Sequence, residues 1–396
     1  MLTAPAVGST DMETRLTLAE ILDHLTADGE VYERTADGRL RCHACAHQCL
    51  IGAGRRGICK VRFERAGTLR VPWGYVGALQ CDPVEKKPFF HALPGTDALT
   101  FGMLGCDMHC AYCQNWIVSQ TLRDTHAGAP PMPVTPKELV ALAKAQGARF
   151  VVSSYNEPLI TAEWAVAVFK EAKAQGLLTG FVSNGNATRA VLEYIRPWTD
   201  CYKIDLKTMS DRNYRQLGTT LAHVLDGVRM VHELGFWLEI VTLVVPGFND
   251  SDAELRDAAQ FIASISPDIP WHVTAFHKDY KMTENDDTTA ADLLRAVEFG
   301  RAAGLRYIYA GNLPGRVGPW EDTRCPTCQR TLIRRSGYVI LDYQITPAGA
   351  CPDCGTHIPG IWPPGGRAAV QLGETLFDLF RRVPRPVSRL RSDVVS

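Results

Sequence analysis

Seven short apolar runs, rich in β-branched and aromatic residues, alternate with amphipathic stretches through the middle of this chain. Strands that alternate with helices usually pair in parallel through right-handed crossovers, with chemistry at the carboxyl ends of the strands. The pattern therefore predicts an α/β domain of six or seven units. Periodicity fits a barrel and a doubly wound sheet equally well. The predicted strands are Leu99–Leu104, Phe150–Tyr155, Leu178–Ser183, Tyr202–Leu206, Trp237–Val245, Trp271–Phe276 and Arg306–Ala310.

Helix boundaries between these runs carry sequence signals of their own. Thr135 and Ser251 are each followed three residues later by glutamate, which predicts two helix starts. Glycines that follow a helical run and precede a strand suit a left-handed helix end. They are Gly147, Gly176, Gly235 and Gly304.

A loop after the first predicted strand holds three cysteines, Cys106, Cys110 and Cys113, with the spacing C-x3-C-x2-C. Three thiolates so close together can hold three irons of a cubic [4Fe–4S] cluster, whereas a complete ferredoxin-type site supplies a fourth. The uncovered iron then has a coordination position for a small molecule. The alternative is a zinc knuckle that takes a fourth ligand, such as His109.

Composition indicates a cytoplasmic globular protein. The chain has 396 residues, 46% of them hydrophobic and 21% charged, which are ordinary values for a folded domain. Its formal net charge of −1 gives no strong signal for nucleic-acid binding. The 13 cysteines are grouped at metal-like spacings, which fits a reducing compartment. No apolar run is long enough to predict a membrane span, and we expect no membrane partner.

The cysteine loop resembles the signature of radical SAM enzymes, and the resemblance extends from about residue 42 to residue 359. Within that superfamily the chain is similar to pyruvate formate-lyase-activating enzymes, and most similar to the radical SAM enzymes of the AmmeMemoRadiSam system. The supporting motifs are Cys42-x2-Cys45-x3-Cys49, Asp82-Pro83-Val84-Glu85-Lys86-Lys87-Pro88, Cys113-Gln114-Asn115-Trp116, His277-Lys278-Asp279-Tyr280-Lys281-Met282 and Gly311-Asn312-Leu313-Pro314-Gly315.

The resemblance implies a partial (β/α)6 TIM-like barrel and a division into four regions. Residues 1–97 would form a Cys-rich N-terminal region and residues 98–318 the barrel. Residues 319–372 would form a metal-binding ribbon with four cysteines, and residues 373–396 a tail that contains arginine and proline.

The resemblance also implies contacts to S-adenosylmethionine (SAM) at the strand ends. Glu157 would bind its ammonium group, Lys207 its carboxylate, and Asn184 and Asp205 would be further polar contacts. Tyr112 would pack near the adenine, and His277 corresponds in position to a cofactor-contacting histidine. Where the family often has Gly-Gly-Glu-Pro, this chain has Tyr155 and Asn156 in place of the two glycines. The plainer alternative for Asp205 and Lys207 is an ion pair at a strand end.

Two further cysteine sets have metal-like spacing. Cys325, Cys328, Cys351 and Cys354 form two knuckles typical of zinc ribbons, with an auxiliary iron–sulfur cluster as the alternative. Cys42, Cys45, Cys49 and Cys59 form an unevenly spaced set for which zinc and an auxiliary cluster are equally good interpretations. His43 or His47 could replace one of those thiolates.

The implied activity is reductive cleavage of SAM to a 5′-deoxyadenosyl radical that abstracts hydrogen from an unknown substrate. Expected partners are SAM and an electron donor such as flavodoxin or ferredoxin, with a protein substrate as a further candidate. Two alternatives remain: activation of a glycyl-radical enzyme, and a zinc-stabilised module that binds protein or RNA.

Overall fold

The N-terminal region consists of short elements. A computed structural model describes residues 16–373 and the two-residue strand at 385–386. The first helix is α1 (Leu18–His24), and its N-terminus has a capping box between Thr17 and Glu20. Eight strands follow. Six of them form two small sheets with the orders β1-β6-β5 and β2-β3-β4, β8 belongs to the central sheet, and β7 pairs with a later strand outside it. They are β1 (Thr26–Asp28), β2 (Tyr32–Arg34), β3 (Leu40–Cys42), β4 (Leu50–Ile51), β5 (Phe63–Arg65), β6 (Thr68–Pro72), β7 (Tyr75–Val76) and β8 (Ala78–Pro83).

The central sheet contains the seven predicted strands, all parallel and in chain order. Its strands are β9 (Asp97–Gly102), β11 (Phe150–Ser153), β12 (Leu178–Ser183), β13 (Cys201–Asp205), β14 (Trp237–Val244), β15 (Trp271–Ala275) and β16 (Ile308–Gly311), and β10 (Met132–Pro133) pairs with β7 instead. The crossovers contain helices α2 (Trp116–Ser119), α3 (Pro136–Ala145), α4 (Ala162–Ala174), α5 (Arg189–Ile195), α6 (Asp211–Leu217), α7 (Leu221–Glu233), α8 (Asp252–Ile265) and α9 (Ala290–Ala302). Six strand–helix units and a seventh strand confirm the expected partial barrel.

The sheet extends beyond the predicted barrel at its first edge. Strand β8 pairs antiparallel with β9, with Ala78 opposite Gly102, so the N-terminal region supplies a barrel neighbour. The two-residue strand β20 (Arg385–Pro386) pairs with β8 in turn. The rest of the predicted tail lies outside the described residues.

The helix signals read from the sequence are largely present. Thr135 forms the predicted capping box with Glu138 at the start of α3. The four helix-end glycines all adopt positive φ, between 73° and 88°, which side chains other than glycine rarely tolerate. Ser251 caps α8, but the Glu254 carboxylate does not return to its cap. It accepts hydrogen bonds from Thr208 Oγ1 and the Met209 amide, and so ties down the loop after β13.

The main hydrophobic core lies between the parallel strands and the surrounding helices. Trp164 of α4 and Trp271 of β15 are among its largest fully buried side chains. A buried ion pair joins this core to the N-terminal region: the Arg62 guanidinium bonds both carboxylate oxygens of Glu163, at 2.7 and 2.8 Å. Both side chains are only 1% exposed.

A three-stranded ribbon packs against β16, the last strand of the barrel. It consists of β17 (Thr323–Arg324), β18 (Thr331–Ser336) and β19 (Val339–Tyr343). The ribbon's Arg335 donates to the Phe90 carbonyl at 2.9 Å and to Thr323 Oγ1 at 2.7 Å. His91 bonds Tyr309 Oη at 2.6 Å and the Pro359 carbonyl at 2.7 Å. The segment after β8, the last barrel strand and the ribbon are therefore one packed unit.

Candidate functional site

A cavity of about 380 Å³ opens at the carboxyl ends of the parallel strands. The loop after β9 brings all three cysteines of the C-x3-C-x2-C motif to its wall. The cavity is also lined by the strand-end residues singled out in the sequence: Tyr112, Glu157, Asn184, Asp205 and Lys207. One face therefore combines three thiols with acidic, basic and amide groups.

The cysteine loop is held by contacts on both sides. Arg123 donates to the carbonyls of Met108 and Ile58, and Gln120 Nε2 also donates to the Met108 carbonyl, at 3.3 Å. Gly105 precedes the loop with φ of +93°, and a Cβ there would lie 2.9 Å from Val61 Cγ1. Only glycine suits that conformation and that close approach. The loop is thus fixed against the N-terminal region.

Burial raises the pKa of the Cys106, Cys110 and Cys113 thiols above the ordinary value. Deprotonation of three neighbouring buried thiols is unfavourable unless a cation compensates the charge. Metal ligation supplies that charge, since a coordinated thiol is deprotonated outright. The donor set therefore fits an iron–sulfur cluster.

Asp107 is the site residue that the sequence reasoning missed. It is fully buried beside Cys106, and its two carboxylate oxygens each accept an amide N–H at 2.8 Å, from Asn184 and Asn186. These bonds fix the turn after β12 to the cysteine loop. In the sequence, the indication of this cluster was the polar run that contains Asn184 and Asn186, directly after β12.

Glu157 lies at the end of β11 and is 2% exposed. Its carboxylate accepts hydrogen bonds from the Asn184 and Leu159 amides and from Ser183 Oγ, at 2.8, 3.1 and 2.8 Å. Burial and the nearby Asp107 nevertheless raise the pKa of Glu157 to about 8. In the described part of the chain no basic side chain lies within ion-pair distance of it. A cationic ligand would supply the missing countercharge.

Asp205 lies between two lysines at the end of β13. Its carboxylate is 3.2 Å from Lys203 Nζ and 3.4 Å from Lys207 Nζ. Burial alone would raise the pKa of Asp205, but the two lysines hold it below its ordinary value. One carboxylate thus serves two ammonium groups, so positive charge remains for an anionic ligand. Lys203, which the sequence reasoning missed, is a charged residue within an apolar strand and on the same strand face as Asp205.

The Lys207 backbone is fixed from two sides. Its amide donates to Tyr214 Oη at 3.0 Å, and its carbonyl accepts from Asn249 Nδ2 at 2.6 Å. Burial would lower the pKa of Lys207, yet Asp205 and the Cys110 thiol keep it well above the ordinary value. Lys207 therefore stays protonated.

The structure places the remaining predicted contacts at different depths. Tyr112 is buried and packs edge-on against Phe248, with ring centroids 5.6 Å apart. His277 is exposed and does not line the cavity; its Nε2 is 3.0 Å from Nε2 of Gln114, which does. Tyr155, which stands where the family often has a glycine, has φ of +72°, a left-handed conformation that side chains other than glycine rarely adopt. Such strain is typical of ligand-binding turns.

A second group of residues that line the cavity comes from segments far apart in the chain. It consists of Lys86 and Lys87 after β8, His272 and Tyr309 on the last two strands, and Tyr338 of the ribbon, among others. Lys87 Nζ bonds Asp82 at 2.7 Å. None of these wall residues was predicted as a site residue.

Comparisons with known proteins agree with this geometry. A family model described as the Radical SAM superfamily matches residues 101–261. An uncharacterized protein of Methanocaldococcus jannaschii, MJ0808, is 34% identical over 306 residues, which cover 77% of this chain and 90% of that protein. The pyruvate formate-lyase-activating enzyme of Staphylococcus aureus is 26% identical over 240 residues, which cover 56% of this chain and 92% of that enzyme. The chain belongs to the radical SAM superfamily.

The expected superfamily and its relation to pyruvate formate-lyase-activating enzymes are thereby confirmed, while the AmmeMemoRadiSam branch stays a prediction. Among solved structures, a domain of such an activating enzyme from Bacteroides vulgatus aligns over 41% of this chain and 98% of that domain. Its sequence identity is 19% and the TM-score is 0.37. Membership of the radical SAM superfamily implies an enzyme that uses a [4Fe–4S] cluster and SAM.

The C-terminal cysteines form a compact set of four thiols. The Sγ atoms of Cys325 and Cys354 are 3.5 Å apart, and those of Cys328 and Cys351 are 3.6 Å apart. All four ligand atoms lie within 4.8 Å of one another. A tetrahedral zinc with bonds of about 2.3 Å would hold its sulfurs roughly 3.8 Å apart. The set can therefore hold one metal ion, as predicted, and its identity as zinc stays a prediction.

The described residues contain no helix that is long and apolar enough to cross a membrane.

Proposed function

We propose that this protein cleaves SAM reductively and directs the resulting radical at a substrate bound in the same cavity. The observation that carries this proposal is the shared wall of Cys106, Cys110 and Cys113 with Glu157 and Lys207. When bound, the reduced cluster and SAM supply a 5′-deoxyadenosyl radical through one-electron cleavage of the C5′–S bond.

The roles that we assign to the chain follow from charge and position. Glu157 accepts hydrogen bonds from the SAM ammonium, which relieves its own buried negative charge. Lys207 binds the SAM carboxylate, and Asp205 orients the Lys207 side chain. Asn184, held by Asp107, offers a polar contact between the two ends of the methionyl group. Tyr112 packs against the adenine, and His277 acts at the rim through Gln114.

The second group of lining residues, from Lys86 to Tyr338, contributes the part of the cavity that binds substrate. Its lysines, histidine and tyrosines suit a polar substrate rather than a lipid. The buried setting excludes water and other hydrogen donors, which protects a reactive radical. An electron donor of the flavodoxin or ferredoxin class completes the cycle.

A second candidate is activation of a glycyl-radical enzyme, which would make the substrate a polypeptide. The observation that favours it is the similarity to the Staphylococcus aureus activating enzyme, which spans 92% of that protein. The two candidates share the cleavage of SAM and differ in what donates the hydrogen atom. A glycyl radical on a partner protein, detected by its EPR signal, would support the second.

The test is anaerobic reconstitution followed by reduction with dithionite in the presence of SAM. We expect a brown protein that converts SAM slowly to 5′-deoxyadenosine and methionine without added substrate. The Cys106→Ala/Cys110→Ala/Cys113→Ala variant should lose this activity and the effect of SAM on the EPR signal of the reduced cluster. S-adenosylhomocysteine as the sole product would contradict the proposal. A colourless zinc protein without turnover would instead favour the binding module.

A further inference from the structure

The N-terminal cysteines converge beside the barrel in a second thiol-rich site. Cys42 ends β3, and its amide donates to the Cys49 carbonyl at 3.0 Å. The Cys49 Sγ accepts from the Ile58 amide at 3.4 Å, directly before Cys59. Cys42, Cys45 and Cys59 are buried and Cys49 is half-buried. The hairpin formed by β3 and β4 and the loop before β5 thus bring Cys42, Cys49 and Cys59 together, and Cys45 lies in the turn of the same hairpin.

These four thiols are not arranged around one small ion. Among the described residues, the ribbon cysteines are the only set of three or more potential ligands whose ligand atoms all lie within 4.8 Å of one another. A single tetrahedral zinc needs sulfurs about 3.8 Å apart. A cubic cluster has an iron for each thiolate, so its four sulfur ligands lie farther apart than the ligands of a single ion. The N-terminal cysteines do not form such a close set, which argues against a single ion, and four thiols provide one ligand for each iron of a cubic cluster.

His43 does not compete with the cysteines for the site. Its Nε2 is 3.7 Å from Glu33 and so faces an acidic side chain. The His47 Nε2 is buried and has no hydrogen-bond partner among the described residues, so His47 stays the alternative ligand that the sequence suggests. The four cysteines alone make a complete ligand set.

The second site adjoins the loop that carries the first. A Cβ on Gly105 would be 3.2 Å from the Cys59 carbonyl oxygen. Arg123 bridges the two loops, because it donates to the Ile58 carbonyl at 2.7 Å as well as to the Met108 carbonyl. The Ala46 amide donates to the Asn186 carbonyl at 3.0 Å. The two sets of cysteines are therefore held in one hydrogen-bonded unit.

We propose that Cys42, Cys45, Cys49 and Cys59 hold a second [4Fe–4S] cluster that relays electrons to the SAM cluster. The four thiolates leave no open iron, so this cluster does not bind SAM. A ferredoxin- or flavodoxin-type donor reduces it from the 2+ to the 1+ state. It returns to 2+ as it passes that one electron to the SAM cluster, which goes from 2+ to 1+. The metal assignment is independent of the SAM chemistry, whereas the relay rests on the proposed function.

Metal analysis of the anaerobically reconstituted full chain tests the assignment. We expect about eight irons and one zinc per wild-type chain, since each cubic cluster holds four irons. The triple alanine variant of the SAM loop should keep about four irons, in a reducible cluster that SAM does not perturb. Cys201→Ala, which removes a buried thiol outside all three sets, should keep all eight. About four irons and two zincs in the wild type, with none left in the triple variant, would overturn the proposal.

The relay is tested separately with Cys42→Ala/Cys49→Ala. This variant should lose about four irons, keep the SAM-sensitive EPR signal, and cleave SAM at the wild-type rate with excess dithionite. With reduced flavodoxin its rate should fall at least tenfold. Equal rates with both reductants would refute the relay and leave the cluster assignment standing. If the variant does not fold, the iron content of the wild type and of the triple variant still decides the assignment, and EPR of the wild type frozen at successive times after mixing with reduced flavodoxin decides the relay. The signal of the second cluster should appear before that of the SAM cluster, and a SAM-cluster signal that appears first would refute the relay.

Discussion

Replacing Glu157 by glutamine tests the proposed role of this residue in binding the SAM ammonium. The wild-type carboxylate is buried and accepts three hydrogen bonds, yet it lacks a basic partner among the described residues. Glutamine keeps the shape, removes the negative charge, and turns an N–H toward one of the present donors. Loss of a charge-assisted contact of this kind costs about 1.5–3 kcal/mol, so the Kd for SAM should rise roughly 10- to 150-fold.

The pH dependence of SAM binding gives a sharper version of the test. The pKa of Glu157 is raised to about 8. The side chain is therefore ionised in only about one molecule in ten at pH 7 and in about one in a hundred at pH 6. The SAM amino group stays protonated over this range. The apparent affinity follows the charged fraction, so it should increase roughly ninefold from pH 6 to pH 7. Binding should also release a proton.

Isothermal titration at several pH values, in buffers of different ionisation enthalpy, measures both effects. Glu157→Gln should bind SAM weakly with no pH slope and no proton release. Ser183→Ala is the matched control, because it removes one donor and keeps the charge. Its pH slope should persist, with the curve displaced to higher pH. A flat wild-type profile between pH 6 and 7, or a wild-type slope in Glu157→Gln, would refute the reasoning.

Three other outcomes are expected. Glu163→Ala leaves the buried Arg62 guanidinium without its partner and should lower the free energy of unfolding by about 3–5 kcal/mol in anaerobic urea denaturation. The control is Asp226→Ala, which breaks an exposed pair with Arg229 and should change this free energy by less than about 1 kcal/mol. Burial lowers the pKa of His91 to about 4, so the unfolded chain binds more protons at this residue below pH 6.5. From pH 7.5 to pH 5.5 the wild type should lose about 1.3 kcal/mol of stability relative to His91→Gln, and parallel pH profiles of the two proteins would contradict this. Cys325→Ser/Cys354→Ser should lose one metal equivalent and make residues beyond about 320 sensitive to protease. An unchanged digestion pattern would contradict the prediction that a metal stabilises the ribbon.

The local part of this fold could be predicted from the sequence. The seven parallel strands follow from short apolar runs bounded by helical stretches, and the helix ends follow from residues such as Thr135 and Gly147. These features depend on neighbours within a few residues, where periodicity and capping preferences act. The cysteine loop was found for the same reason, since its three thiols lie within eight residues.

The non-local part could not be predicted in this way. Asp107 bonds amides 77 and 79 residues away, and no local pattern connects them. The wall that contains Lys87, Tyr309 and Tyr338 joins three segments that are distant in sequence. The sequence analysis placed β8 in the N-terminal region because no helical stretch separates it from β9, with which it pairs antiparallel. Such contacts depend on tertiary packing, which sequence spacing does not record.

The ribbon has a consequence for how this enzyme could be controlled. Its Tyr338 and the adjacent Gly337 line the cavity, while its metal ligands lie some distance along the chain. A metal that binds only the folded ribbon stabilises it by about 4 kcal/mol when its free concentration is a thousand times the Kd. Part of the cavity wall is thus stabilised by the metal as well as by the contacts of Arg335 and His91. On the proposed function, loss of the metal would weaken this part of the wall and expose the radical to water and to adventitious hydrogen donors.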